Sequence, residues 1–125
     1  MQIFPTARLA SAAAVLALAA LVAGCKPSGE RALIEGDRLL RAGKVAEAVP
    51  VLERAVLTLP QDARALNYLG LAYQSAGRAD EARRAYLRAL EIDRNLFEAN
   101  HNLGLLYLDK GDLLEAERSL RAYLA

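Results

Sequence analysis

"ALNYLGLAYQSAG", residues 65–77, places Leu66, Leu69, Gly70 and Tyr73 on one face of a helix and then ends on Gly77. Glycine inside a helix costs about 1 kcal/mol relative to alanine. Gly70 on an apolar face therefore implies that a second helix comes close there, and Ala82 in the following stretch is the expected point of approach. Gly77 stands where a left-handed residue is wanted just past a helix C-terminus. The same features recur at a fixed step. Gly36, Gly70 and Gly104 form one ladder, Gly43, Gly77 and Gly111 a second, and Ala48, Ala82 and Ala116 a third, each with a step of 34 residues. Leu39, Tyr73 and Tyr107 make a fourth. Six of the eight glycines fall on two of these ladders, so they mark a structural repeat rather than a phosphate-binding loop.

Cut on this period, residues 29–125 divide into units 29–62, 63–96 and 97–125. Each reads as helix, glycine turn, helix, which predicts an all-α fold of six helices stacked as a short solenoid. The units resemble tetratricopeptide (TPR) repeats, whose first helix carries a small residue and an aromatic, followed by a turn glycine and a second helix with alanines. The middle unit matches that pattern at Leu66, Leu69, Gly70, Tyr73, Gly77, Ala82, Tyr86 and Ala89. Asp62 and Asn95 are expected to cap the first helices of units two and three. Asp112 and Glu115 in "GDLLEAE" have the spacing of a capping box. Unit one departs from the pattern: Leu39 replaces the aromatic, and Pro50 inside the second helix is expected to bend or loosen its first two turns. Tyr123 stands in unit three where alanine is usual, and no capping helix follows it in the sequence. Three repeats are near the minimum for independent stability, which predicts a marginal monomer.

The beginning of the chain is of another kind. Residues 1–24 hold one basic residue, Arg8, and no acidic one, and Leu9–Ala23 is an uncharged run of fifteen residues. That is short for a spanning helix, which needs roughly 20 apolar residues, and suits a signal-peptide core. "LVAGC" (21–25) resembles the lipobox of bacterial lipoproteins. The resemblance implies cleavage after Gly24, so that 1–24 is a lipoprotein signal peptide, and attachment of diacylglycerol to Cys25, the only cysteine. Residues 25–28 would then be the lipidated cysteine and a short linker. Two or more acyl chains make such attachment stable. By the same analogy Lys26, rather than an aspartate, after Cys25 allows export to the outer membrane, facing the periplasm.

Without the first 24 residues, fifteen Lys+Arg stand against fifteen Asp+Glu. A neutral surface of mixed sign has no field to steer nucleic acid, which excludes that class of partner. Catalytic chemistry finds no support either: the thiol is expected to be lipidated, and no triad, phosphate loop, metal spacing or cofactor signature appears. The candidate site is instead a concave groove lined by the first helices. Its residues in register are Glu30, Leu33, Asp37, Leu40 and Arg41, then Arg64, Asn67, Tyr68, Leu71 and Gln74, then Glu98, His101, Asn102, Leu105 and Leu108. The binding set is Arg41, Arg64, Asn67, Leu71, Gln74, His101, Asn102 and Leu105, whose amides can bond a peptide backbone while the leucines take its side chains. His101, the lone histidine, reads as a groove-lining imidazole. The carboxylate clamp of some TPR domains needs lysine and asparagine where Leu33 and Asp37 stand, so that specificity is absent.

The expected function is a non-catalytic protein-interaction scaffold or adaptor held at the periplasmic side of a bacterial membrane, with protein partners and no small-molecule substrate. TPR lipoproteins that support pili or secretins are the family analogy. An accessory subunit positioning a peptidoglycan or other envelope enzyme is the alternative. A weak homo-oligomer stacked through the open C-terminal repeat is a third.

Overall fold

The computed structural model describes residues 28–125; the apolar leader and Cys25 lie outside the described residues. Six helices follow in chain order: α1 (Ser28–Arg41), α2 (Val45–Thr58), α3 (Ala63–Ser75), α4 (Ala79–Ile92), α5 (Phe97–Lys110) and α6 (Leu113–Leu124). They pair as hairpins α1–α2, α3–α4 and α5–α6, and each second helix also touches the first helix of the next unit. First helices of neighbouring units touch each other, α1 on α3 and α3 on α5, whereas second helices of neighbouring units do not. The stack therefore curves with the first helices on its inner side. Ser28, expected in the linker, already belongs to α1, and Gly29 beside it is buried with Leu59 and Thr58 against it.

The glycine ladders explain the hairpins. A Cβ at Gly70 would stand 2.6 Å from the ring of Tyr86, which is fully buried, and a Cβ at Gly104 would stand 2.7 Å from Leu120. At Gly36 the corresponding intruder is Leu52. The close approach at Gly70 thus belongs to the Tyr86 ring and not, as the spacing suggests, to Ala82. Ala82 is also fully buried, one turn earlier on α4, but the atoms that a Cβ at Gly70 would strike are those of the Tyr86 ring.

The second ladder makes the turns. Gly43, Gly77 and Gly111 have φ of 71°, 75° and 79°, the left-handed region that glycine enters without a Cβ penalty. Around Gly77, the Gly77 N–H donates to the Gln74 carbonyl (3.0 Å) and the Arg78 N–H to the Tyr73 carbonyl (2.8 Å). That is the Schellman pairing, which satisfies carbonyls left over at a helix end. Gly43–Lys44 and Gly111–Asp112 repeat both bonds. Arg78 also lays its guanidinium 4.5 Å above the Tyr73 ring, tying the turn to the helix it ends.

The caps divide. Asp62 caps α3 as expected, accepting from the N–H groups of Arg64 (2.9 Å) and Ala65 (3.2 Å). Burial alone would raise its carboxyl, but these bonds and the Arg64 guanidinium together hold it below the usual range. Asn95 does not cap α5. Leu96 occupies that position, 34 residues after Asp62, and Asn95 instead gives its backbone N–H to the Asp93 carboxylate. The capping box at Asp112 and Glu115 does not form either. Its reciprocal bond needs the Asp112 N–H, which already closes the preceding turn on Tyr107, and Glu115 pairs with Arg118 at 2.9 Å. Helix α2 runs unbroken through Pro50, which sits on the exposed side beside an exposed Ala46, the residue whose carbonyl loses its partner.

Two buried clusters fill the stack. One joins units one and two around Leu33, Leu39, Leu52, Leu66 and Leu69; the other joins units two and three around Tyr86, Leu103, Leu106 and Tyr107. Tyr73 and Leu90 pack against both, so the solenoid has a continuous interior. Tyr73 crosses the seam between units as well, donating its hydroxyl to Glu53 Oε1 on α2 at 2.8 Å.

Gly70→Ala is expected to lower stability by about 1–3 kcal/mol despite alanine's better helix propensity, because the methyl overpacks the Tyr86 ring; a reduced urea midpoint with unchanged m checks it. Burial first, and then the hydrogen bond to the Glu53 carboxylate, push the Tyr73 hydroxyl up to about 12. The folded value lies above the unfolded one of about 10. Stability from this group is therefore whole below about pH 10 and is lost as the pH rises from 10 towards 12. Tyr73→Phe should flatten that part of the alkaline unfolding curve, followed by helical circular dichroism.

Candidate functional site

The inner surface is formed by α1, α3 and α5, and its chemistry changes along the stack. Between α1 and α3 lies an open depression of about 330 Å³ lined by Asp37, Leu40, Arg41, Tyr68, Leu71 and Ser75. Leu40, Tyr68 and Leu71 supply its apolar wall. Asp37 and Arg41, one turn apart on α1, pair across its rim with Arg41 Nε 3.0 Å from both carboxylate oxygens. The Asp37 hydrogen bond and charge hold the Arg41 guanidinium even more firmly protonated than usual. One Nε is used, which leaves the terminal nitrogens of this exposed side chain as donors. The depression is suited to one apolar side chain of a peptide, with a polar group beside it at Arg41.

Between α3 and α5 the surface is sealed rather than open. Asn102 Nδ2 donates to Asn67 Oδ1 at 3.1 Å, and Asn67 is buried. This pair joins the two helices and is a structural link; Asn67 does not face an incoming peptide as its register suggested. Gln74 is committed in a similar way, since its Oε1 accepts the hydroxyl of Tyr86 at 2.8 Å. Burial pushes that tyrosine hydroxyl strongly up, as fits a proton held between two helices. Leu33, read as groove-facing, is part of the buried core. A helix face has no sharp edge, and the residue at its border goes to whichever neighbouring helix offers a partner.

At the far end of the inner surface Leu105 is exposed, while His101 turns towards α6. The His101 and Tyr123 rings lie 5.0 Å apart, tilted by 47°. His101 Nδ1 is buried without a hydrogen-bond partner. Arg64 sits at the opposite margin, paired with Asp62 at 2.9 Å, on the wall of a larger depression of about 640 Å³ along the loops between units. Of the eight groove residues, then, the structure brings Arg41 and Leu71 to one open depression. It puts Asn67 and Asn102 into a seam, ties Gln74 to Tyr86 and leaves Arg64, His101 and Leu105 at the ends. Ser75 was missed by the sequence reading, although it lies one turn after Leu71 on the same face. The Tyr123 contact was missed too, although the repeat places that ring 34 residues after Ala89. No cluster of three or more His, Cys, Asp or Glu able to hold a metal occurs among the described residues. No described helix is long and apolar enough to cross a membrane.

A family profile described as Tetratricopeptide repeat matches residues 33–96, and a second of the same description matches 85–118. Among curated relatives, uncharacterized protein ycf37 of Porphyra purpurea is 33% identical over 87 residues, 70% of this chain and 46% of that protein. The chain spans less than half the length of the curated relatives it matches. Among solved structures, MamA superposes with a TM-score of 0.73 at 31% identity, covering 78% of this chain and 57% of that one. The second TPR of Spaghetti (RPAP3), solved bound to the HSP90 peptide SRMEEVD, gives a TM-score of 0.74 at 20% identity over 78% of this chain and 90% of that one.

Asn67→Ala should cost about 1 kcal/mol, the net worth of a hydrogen bond whose partner Asn102 can turn to water. The loss should appear in hydrogen exchange as faster opening of α5 and α6 than of α1 and α2, since the α3–α5 seam is what it loosens.

Proposed function

The chain belongs to the tetratricopeptide repeat family, and we propose that it acts as a non-catalytic adaptor that holds a peptide segment of a protein partner on its inner surface, close to a bacterial membrane. The observation that carries this reading is the depression between α1 and α3, where Leu40, Tyr68 and Leu71 form an apolar floor and Arg41 an exposed donor. A concave surface with an apolar floor and a few polar groups at its rim is the chemistry of side-chain-in-pocket peptide recognition. The Spaghetti domain is a solved case of this fold with a peptide bound. The peptide taken here is of another kind, because Asp37 stands at the rim and Leu33 is in the core.

The lipobox-like "LVAGC" supports the membrane part of the proposal. With Cys25 as the lipidated first residue, three covalent steps lead to Ser28, the first residue of α1. At no more than about 3.5 Å per residue, these reach roughly 10 Å. The N-terminal end of the stack then works against the bilayer surface, and the partner is a component of the envelope, such as a subunit of a pilus or secretin assembly at the periplasmic face of the outer membrane.

One experiment tests both parts. A photo-crosslinking residue is placed in cells at Ser75, and at Arg88 on the outer helix α4 as control, with Cys25 intact or replaced by serine. The expected result is an adduct with an envelope protein from position 75 alone, and recovery of the intact chain in the membrane fraction. Cys25→Ser should release the chain from that fraction and weaken the adduct. Adducts from position 88 but not 75 overturn the groove, and a membrane fraction unchanged by Cys25→Ser overturns the anchor.

A further inference from the structure

The positions by which one unit stacks on the unit before it carry a different chemistry in unit one. Helices α3 and α5 use Ala65, Leu66, Leu69 and Ala72, and then Ala99, Asn100, Leu103 and Leu106, all buried. At the same positions α1 carries Arg31, Ala32, Glu35 and Arg38. Helix α2 adds Arg54 and Leu57 beside them. Ser28, Arg31, Ala32, Arg54, Leu57 and Thr58 line one open depression of about 490 Å³, together with Glu35. Leu57 is 82% exposed, the most exposed large apolar side chain among the described residues.

The charges of this face leave a cationic excess. Glu35 is taken by Arg38 at 2.6 Å. Glu47 acts on the same Arg38 and lies two turns before Arg54 on α2, at the other edge of the stack. Glu30 acts on Arg64, on the inner side. Arg31 and Arg54 are then the charges that set the sign of the depression, and Arg54 has no ion pair among the described residues. Lys26, three positions after Ala23 in the sequence, adds a further cation to the approach.

We propose that this face is a seat for anionic phospholipid headgroups, with Arg31 and Arg54 on the phosphates and Leu57 entering the boundary of the acyl chains. The inference rests on the reading of Cys25 as a lipid anchor and adds a second, non-covalent contact to it. Ser28 lines the depression and stands three residues from Cys25, a reach of roughly 10 Å. That is close to one Debye length at physiological salt, so the two guanidinium groups feel the charge of the surface. An exposed leucine flanked by arginines is the side-chain set of an interfacial contact: the apolar group goes in and the cations stay among the headgroups. Guanidinium also matches phosphate in geometry as well as charge. Seated in this way, the stack stands on unit one. The inner surface of α1, α3 and α5 then runs away from the bilayer, with unit three farthest out, and its α1–α3 depression stays open to a partner.

The test uses the full chain, processed in cells and reconstituted in phosphatidylethanolamine vesicles with or without phosphatidylglycerol. Lipidation occupies the Cys25 thiol, so a cysteine introduced at Thr58, or at Asp109 in unit three as control, takes up a fluorophore alone. A quencher carried on lipid headgroups should quench the probe at 58 and not the one at 109. Omitting phosphatidylglycerol or raising the salt should relieve that quenching. Arg31→Gln with Arg54→Gln should lower the ratio of seated to free chain about 25-fold, at roughly fivefold per basic residue near an anionic surface, with the helical circular dichroism unchanged. Arg31→Lys with Arg54→Lys should keep it. A chain that floats with the vesicles but leaves the 58 probe unquenched overturns the seat and spares the anchor. Quenching that is equal at 58 and 109, or indifferent to phosphatidylglycerol, salt and the glutamine pair, also overturns the seat. A chain that does not float, and whose Cys25 takes up the fluorophore, overturns the anchor and the seat with it.

Discussion

Everything in this fold depends on a large side chain resting on a bare backbone three times over. Leu52 lies on Gly36, Tyr86 on Gly70 and Leu120 on Gly104, and in each case a Cβ would collide with the visitor. That contact sets the distance between the two helices of a hairpin. The distance in turn decides which of their residues are covered and how tightly the next unit can follow. Glycine's cost in a helix is accepted because interior packing is dense and unforgiving, and one methyl in the wrong place displaces a whole ring.

Stacking follows from the hairpins. Fully buried alanines on the second helices, Ala55 and Ala89, let the following first helix come close, and the first helices then touch one another along the inside of the curve. Curvature makes the inner surface, and that surface is not uniform. Where α3 and α5 meet, two asparagines satisfy each other and close it. Where α1 and α3 meet, leucine and tyrosine leave an open floor with an arginine at the rim.

Much of this was legible in the residues. The 34-residue ladders gave helix, turn and order, and the left-handed glycines stand where a helix end needs them. Asp62 was readable as a cap, since a carboxylate two and three residues before free N–H groups needs nothing from elsewhere. The misreadings each have their own physical cause. Glu115 has the spacing of a capping box, yet the N–H it would reach is already spent in closing the preceding turn. Asn95 lies one residue short of the cap position that the period assigns to Leu96. Ala82 looked like the partner of Gly70 because it shares the ladder, while the ring that actually rests there comes from one turn further along.

The sequence by itself determined the repeat, the turns, the neutral composition and the contrast between a lipobox-like start and a helical remainder. These are properties of spacing and composition, carried by residues close together in the chain or by a period. Only the tertiary structure decided which polar groups on the inner helices remain available. Asn67 and Gln74 look as free as Arg41 when read along one helix. Their partners, Asn102 and Tyr86, come from other helices 35 and 12 residues away. A hydrogen bond made across a helix interface removes a group from the surface, and no spacing within a single helix reports that it has been made.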